Sequence, residues 1–156
     1  MNKTRRNLLQ ATGSATVMAL AASAGVFKSG SVFAADWNKA AFDTKNVQDT
    51  VKALGGTGAT ESKDITIISP DIAENGAVVP VSVSSKLGKT ESISILVEKN
   101  PNALSAAFDI PGGTEPFVST RVKMGQTSNV HAVVKADGKY FYATKEIKVT
   151  LGGCGG

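Results

Sequence analysis

Apolar residues recur in two rhythms along the chain, and the change between them divides it. Over residues 36–54, Val47, Val51 and Leu54 fall at i, i+4 and i+7, which places them on one face of a helix. Trp37 and Phe42 add apolar bulk, Thr44 is placed to cap the second half, and Gly55-Gly56 stops the element. This face is read as packing on the rest of the body, and residues 55–62 as a loop. From Asp64 onward the period falls to two. Ile65 and Ile67 alternate up to Ser69-Pro70, and Asn75-Gly76 signals a turn. Val79, Val81 and Val83 share one face opposite Pro80 and Ser82. Pro80 has no N–H to give a ladder, so its strand is expected at an edge or with a bulge. Gly88 turns the chain into Ile93, Ile95 and Val97, which alternate with Ser92, Ser94 and Leu96 before Asn100-Pro101-Asn102 breaks the run.

The same rhythm continues. Residues 106–110 form a short apolar run ended by Pro111-Gly112-Gly113. Val118, Thr120, Val122 and Met124 then oppose Ser119, Arg121 and Lys123, and Gly125 begins a turn. Val130, Ala132 and Val134 face inward, with Asn129, His131 and Lys135 outward. Asp137-Gly138 is a strong hairpin signal, and it leads into a last strand over 139–151 carrying Phe141, Ile147, Val149 and Leu151. Lys145 sits out of phase there, which predicts a bulge or a twist. Seven short strands with turns every 8–12 residues or so predict an all-β chain, a β-sandwich with an N-terminal helix.

Charge adds a boundary. The chain holds 17 Lys and Arg against 13 Asp and Glu. Lys3, Arg5, Arg6 and Lys28 fall in residues 1–34, which hold no acid, so the body is neutral. The excess of base therefore does not indicate nucleic acid, and no basic stretch interleaved with aromatics supports it. Arg5-Arg6, flanked by Thr4 and Leu8-Leu9, precede a weakly apolar stretch over 15–27 and then Val32-Phe33-Ala34. This resembles a twin-arginine leader cleaved after Ala34, with an ordinary secretory leader as the alternative. The stretch is too short and too rich in small residues to be a stable membrane span. No cysteine follows it, which excludes a bacterial lipid anchor. That route implies export of folded cargo. One His and one Cys make no metal cluster, so no cofactor is expected, and a partner that binds before export is the better reason.

Candidate chemistry concentrates on one residue. Cys154 is the 1 cysteine of the chain, framed by Gly152, Gly153, Gly155 and Gly156. Glycine samples φ of both signs and resists regular structure, so the thiol is expected on a flexible arm of residues 152–156 after a body of residues 35–151. Extended, five residues reach at most roughly 17 Å. A catalytic cysteine needs a fixed base and an oxyanion site, and such a tail fixes neither. The cysteine is third from the end, so a prenylation box does not fit. His131 is read as a surface histidine, and Arg121 and Lys123 as a solvated face. The carboxylates, Asp109 and Glu115 among them, show no paired spacing for acid–base chemistry.

The leader, the strand pattern and the terminal Gly-Gly-Cys-Gly-Gly together resemble the SoxY family. The tail matches the family's signature at Gly152 to Gly156. Segments 69–77, 97–101 and 116–127 are also similar to it, so the likeness spans essentially the whole chain. The resemblance implies an immunoglobulin-like sandwich, a periplasmic location and a heterodimer with SoxZ, the SoxYZ complex of thiosulfate oxidation, exported together. It implies a non-enzymatic role as carrier of sulfur intermediates on Cys154. SoxAX, a c-type cytochrome, joins thiosulfate to the thiol; SoxB, a dimanganese hydrolase, removes sulfate; and SoxCD, a molybdenum and haem protein, oxidises the sulfane sulfur. Cargo held through S–S bonds needs a thiol, and a slender stalk suits a narrow channel. Two other readings stay open from the residues alone. One is an exported interaction module whose tail cysteine only forms intermolecular disulfides, and the other is a thiol enzyme.

Overall fold

The computed structural model describes residues 38–150. Arg5, Arg6, Ala34, Trp37 and Leu151, together with Cys154 and its four glycines, lie outside these residues. Two short helices open the described chain, α1 (Lys39–Phe42) and α2 (Val47–Ala53). There follow β1 (Ala59–Glu61), β2 (Ile65–Ile68), β3 (Ile72–Ala73), a 3-10 turn (Gly76–Val78), β4 (Val79–Ser85), β5 (Thr90–Val97), β6 (Leu104–Asp109), β7 (Phe117–Val122), β8 (Ser128–Ala136) and β9 (Lys139–Val149). The seven strands expected from the alternation are β2 and β4 to β9. β1 and β3 are additions of three and two residues, too short to carry a period.

The larger sheet runs β1-β9-β8-β5-β6, with β3 also paired to β9, and the smaller runs β2-β4-β7. With β9, β8, β5 and β6 facing β2, β4 and β7, this is the order of an immunoglobulin-like sandwich. The period-two apolar residues meet between the sheets. Val79, Val81 and Val83 of β4, Ile93, Ile95 and Val97 of β5, Val130, Ala132 and Val134 of β8, and Ile147 of β9 are buried in one cluster with Ile65, Val118, Val122 and Met124. The two-residue connection between β8 and β9 is Asp137-Gly138, both at positive φ (49° and 72°), the geometry the hairpin signal demands.

A second core lies on the outer face of the large sheet. Val51 of α2 and Ala41 of α1 pack on Leu96, Ala103, Leu104, Val133 and Tyr140. The helical face does pack on the body, but as two helices rather than one. The run Asp43-Thr44-Lys45-Asn46 is poor in helix formers. Asn46 is extended and its side chain accepts the Asp49 N–H at 2.8 Å, so Asn46 caps α2, not Thr44. Thr44 instead donates through Oγ1 to the Ala41 carbonyl, and its own carbonyl accepts the Ala103 N–H at 2.8 Å. At the other end Gly55 takes φ 92°, with Gly55 N–H on Lys52 O and Gly56 N–H on Val51 O. This is the glycine stop that was expected, in Schellman form.

Two further expectations are corrected. The strand holding Pro80 is central, not an edge, because β4 lies between β2 and β7. Pairing with β2 ends at Ser82, so Pro80 opposes only Arg121 of β7 and no ladder bond to β2 is lost. Lys145 causes no bulge, since β8 and β9 stay in register from Ser128↔Ile147 to Ala136↔Lys139. Its stem shares the face of Ala143 and Ile147, while its ammonium reaches the Ser69 carbonyl at 2.6 Å and Asp71 Oδ1 at 2.9 Å. The register shifts that do occur lie in β5.

The 3-10 turn is closely packed. A Cβ on Gly76 would stand 2.4 Å from the Met124 carbonyl oxygen and 2.9 Å from Val149 Cγ1. Gly76→Ala is expected to lower the urea midpoint at unchanged slope, by about 1–3 kcal/mol of overpacking. Gly88→Ala, which meets nothing within 4 Å, is the control and should stay within about 0.5 kcal/mol.

Candidate functional site at the root of the cysteine tail

Cys154 lies outside the described residues, so its setting is defined by what holds the chain just before it. β9 ends at Val149, and its free edge is shared by two short parallel partners. β1 pairs with its first residues (Ala59↔Tyr140 to Glu61↔Tyr142) and β3 with its last (Ile72↔Lys148, Ala73↔Val149). The last three backbone N–H groups among the described residues are each bound. Lys148 N–H donates to Asp71 O at 2.9 Å, Val149 N–H to Thr127 Oγ1 at 3.0 Å, and Thr150 N–H to Ala73 O at 3.1 Å. The bonds at Lys148 and Thr150 go to β3 and the residue before it, and the one at Val149 to the loop before β8.

Two neighbouring contacts brace this clamp. The Met124 N–H donates to Gly76 O at 2.7 Å, which ties the 3-10 turn to the end of β7. Lys145 bridges the gap between β1 and β3 by holding Ser69 and Asp71. Thr127, Gly76 and the Lys145–Asp71 pair were not singled out in the sequence. Asn75-Gly76 reads there as an ordinary turn, and nothing local says that Val149 will lie against it. Arg121 and Lys123 are exposed, as expected. The Lys123 carbonyl accepts from Asn100 Nδ2 at 2.8 Å.

His131 is not the surface residue the alternation suggested. It is on the outward face of β8, but α2 covers that face and its side chain is only 13% exposed. It lines a cleft of about 500 Å³ with Val47, Val51, Lys52, Thr57 and Tyr142. Nδ1 lies 2.8 Å from Thr144 Oγ1, while Nε2 is buried and 3.6 Å from Glu98, just beyond hydrogen-bonding range. Burial pushes the imidazole below its usual pKa, and the Glu98 carboxylate opposes this in part. Glu98 is itself held below the usual carboxylate range, first by the Asn129 amide and then by His131. Thr144, opposite His131, lies roughly 20 Å along β9 from Thr150, so this cleft is separate from the tail root. Among the described residues no group of three or more His, Cys, Asp or Glu could hold a metal ion. None of their helices is long and apolar enough to cross a membrane.

The unfolded chain protonates its single histidine as pH falls below about 6.5, while the folded chain resists. Stability is thus full above that value and declines as pH falls through it. The melting temperature is expected to drop between pH 7.5 and 5.5, and His131→Gln to flatten the drop. Glu98 acts only below its ordinary 4.5, outside this window. An unchanged slope in the variant would remove His131 as the cause.

Comparison with known proteins places this geometry. No curated protein matches the chain. The solved structure of the sulfur carrier protein SoxY from Chlorobium limicola f thiosulfatophilum is similar at 39% identity and a TM-score of 0.58, covering 66% of this chain and 96% of its own. Superoxide reductase (neelaredoxin) from Ignicoccus hospitalis is similar at 22% identity and a TM-score of 0.48, over 55% of this chain and 80% of its own. The profile of the family described as "Sulfur oxidation protein SoxY" matches residues 51–154, a span that runs from α2 through the clamped end of β9 to the cysteine itself. On that match, the chain belongs to the SoxY family.

Proposed function

We propose that this protein is a covalent carrier of sulfur intermediates in periplasmic thiosulfate oxidation, with Cys154 as the attachment point. The observation that carries the reading is a lone thiol in Gly152-Gly153-Cys154-Gly155-Gly156, four residues beyond Thr150, where the amides of Lys148, Val149 and Thr150 are each bound. The family match, and the relative described as a sulfur carrier protein at 39% identity, support it. Residues 1–34 act as a twin-arginine leader through Arg5 and Arg6, residues 35–151 as the carrier body, and residues 152–156 as its swinging arm. The folded partner exported with it is SoxZ.

The chemistry balances without a catalytic group in this chain. In loading, the Cys154 thiol loses its proton and joins the sulfane sulfur of thiosulfate. The new S–S bond gives a thiosulfonate, and two electrons leave to the c-type haems of SoxAX. In hydrolysis at SoxB, water attacks the sulfone sulfur, the S–S bond to it breaks, sulfate leaves, and a persulfide stays on Cys154. SoxCD oxidises that remaining sulfur. The body contributes position, and the glycines contribute slenderness, because a Cβ beside Cys154 would thicken the stalk inside a channel.

Mass spectrometry of the C-terminal peptide from cells grown on thiosulfate is expected to find thiosulfonate and persulfide on Cys154. Finding nothing but Cys154–Cys154 disulfides would favour an interaction module that links chains. Turnover by the purified chain alone, lost in Cys154→Ser, would favour an enzyme. Stalk width is tested by Gly153→Val. It is expected to keep the melting temperature and SoxZ binding and to slow both loading and sulfate release. Unchanged rates would refute the narrow-channel argument.

A further inference from the structure

Residues 151–154 separate the clamped strand from the thiol, so the Cα of Cys154 lies at most roughly 14 Å from that of Thr150. An enzyme acting on that sulfur must bring its own surface against whatever surrounds Thr150. The surrounding backbone is the stretch 68–78. Its Asp71 and Ala73 carbonyls bind the Lys148 and Thr150 amides, and its Gly76 lies against Val149. This stretch also holds three of the four large hydrophobic side chains left exposed among the described residues, Ile68 at 57%, Ile72 at 56% and Val78 at 50%. The fourth, Phe117, lies outside this stretch, at the start of β7, which shares the smaller sheet with the β2 that Ile68 ends. None of the three builds the core. Ile72 precedes buried Ala73, and Val78 precedes buried Val79. Ile68 ends β2 past Ile67, which packs on the core. Exposed apolar groups gathered at a site and edged by polar residues mark a protein contact.

We propose that Ile68, Ile72 and Val78 form an apolar collar around the tail root, which docks the enzymes that act on the sulfur of Cys154. The matching surface is a recessed active site rimmed by apolar side chains. This rests on the carrier reading above. The short tether selects this occupant, because the thiol cannot enter a deep site unless the collar and the rim of that site meet. A lipid surface is disfavoured, since the exposed charges within the stretch are the acids Asp71 and Glu74. Three aliphatic side chains make a small contact, of the size of transient encounters, and a carrier that visits several enzymes in turn needs quick release.

The test uses the full carrier with SoxZ, loaded with thiosulfonate, and SoxB as the enzyme. Ile72→Thr with Val78→Thr keeps β-branching while removing apolar surface. The double variant is expected to raise the KM for sulfate release about tenfold with kcat unchanged, the signature of lost uniform binding. Alkylation of the free thiol by iodoacetamide should proceed at the wild-type rate, since a small reagent needs no collar. Phe117→Ser should leave KM within about twofold. Val78→Thr alone, with a smaller rise in KM, serves if the double variant melts low. A wild-type KM in a loaded, folded double variant would overturn the collar alone. A loss of self-association in sedimentation with KM unchanged would overturn it in favour of a contact between copies. Failure of Cys154 to load at all would sink the carrier reading and the collar with it.

Discussion

The outer edge of β9 is the constraint on which this structure turns. A strand at the border of a sheet presents unpaired N–H and C=O groups, a liability that proteins cover or shorten. Here the edge is covered by two fragments taken from distant parts of the chain, β1 at its start and β3 at its end, with Lys145 holding Ser69 and Asp71 between them. The arrangement protects the edge and also fixes where the chain leaves the sheet. Lys148, Val149 and Thr150 each give their N–H to a partner from a different stretch than β8, so the direction of exit is set by tertiary contacts. The restraint ends at Thr150, and in the sequence the glycine-framed Cys154 follows four residues later.

Two of the three segments that resemble the family meet at this clamp. Segment 69–77 supplies Asp71, Ala73 and Gly76, and segment 116–127 supplies Met124 and Thr127. Gly76 has a physical reason to be glycine, since the Met124 carbonyl and the Val149 side chain leave no room for a Cβ. The opposite face of the large sheet does different work. There the helices bury Leu96, Val133 and Tyr140, and the Tyr140 hydroxyl donates to the Leu54 carbonyl at 2.5 Å, fastening α2 at its glycine stop.

Much of the fold was legible because alternation is a strong signal when one face is buried. Val79, Val81 and Val83, or Val130, Ala132 and Val134, announce both the strand and the face that turns inward. What was not legible depended on tertiary register. Thr44 and Asn46 are both good caps by residue type, and the Ala103 N–H engaging the Thr44 carbonyl helps decide between them. Lys145 looked like a fault in the pattern because its stem and its charge have different destinations. Pro80 looked like an edge residue because its partner strand ends two residues away. His131 was assigned to the right face, but the sequence did not say that α2 would cover that face. For the candidate site the division is sharper. Cys154 and its glycines can be read directly, whereas the clamp is assembled from residues separated by scores of positions.

β1 and β3 both pair with β9 in parallel, and parallel neighbours require long excursions of chain between them. Ala59 waits for Tyr140, and Ala73 for Val149, before either pair can form. Such distant pairings are slow and come late in folding. During synthesis, then, the sandwich cannot close until almost the whole body has emerged, and the segment bearing the thiol follows immediately. A nascent chain displays Cys154 only at the moment when its support can be completed. Under the carrier reading proposed above, sulfur is then joined only to a finished body.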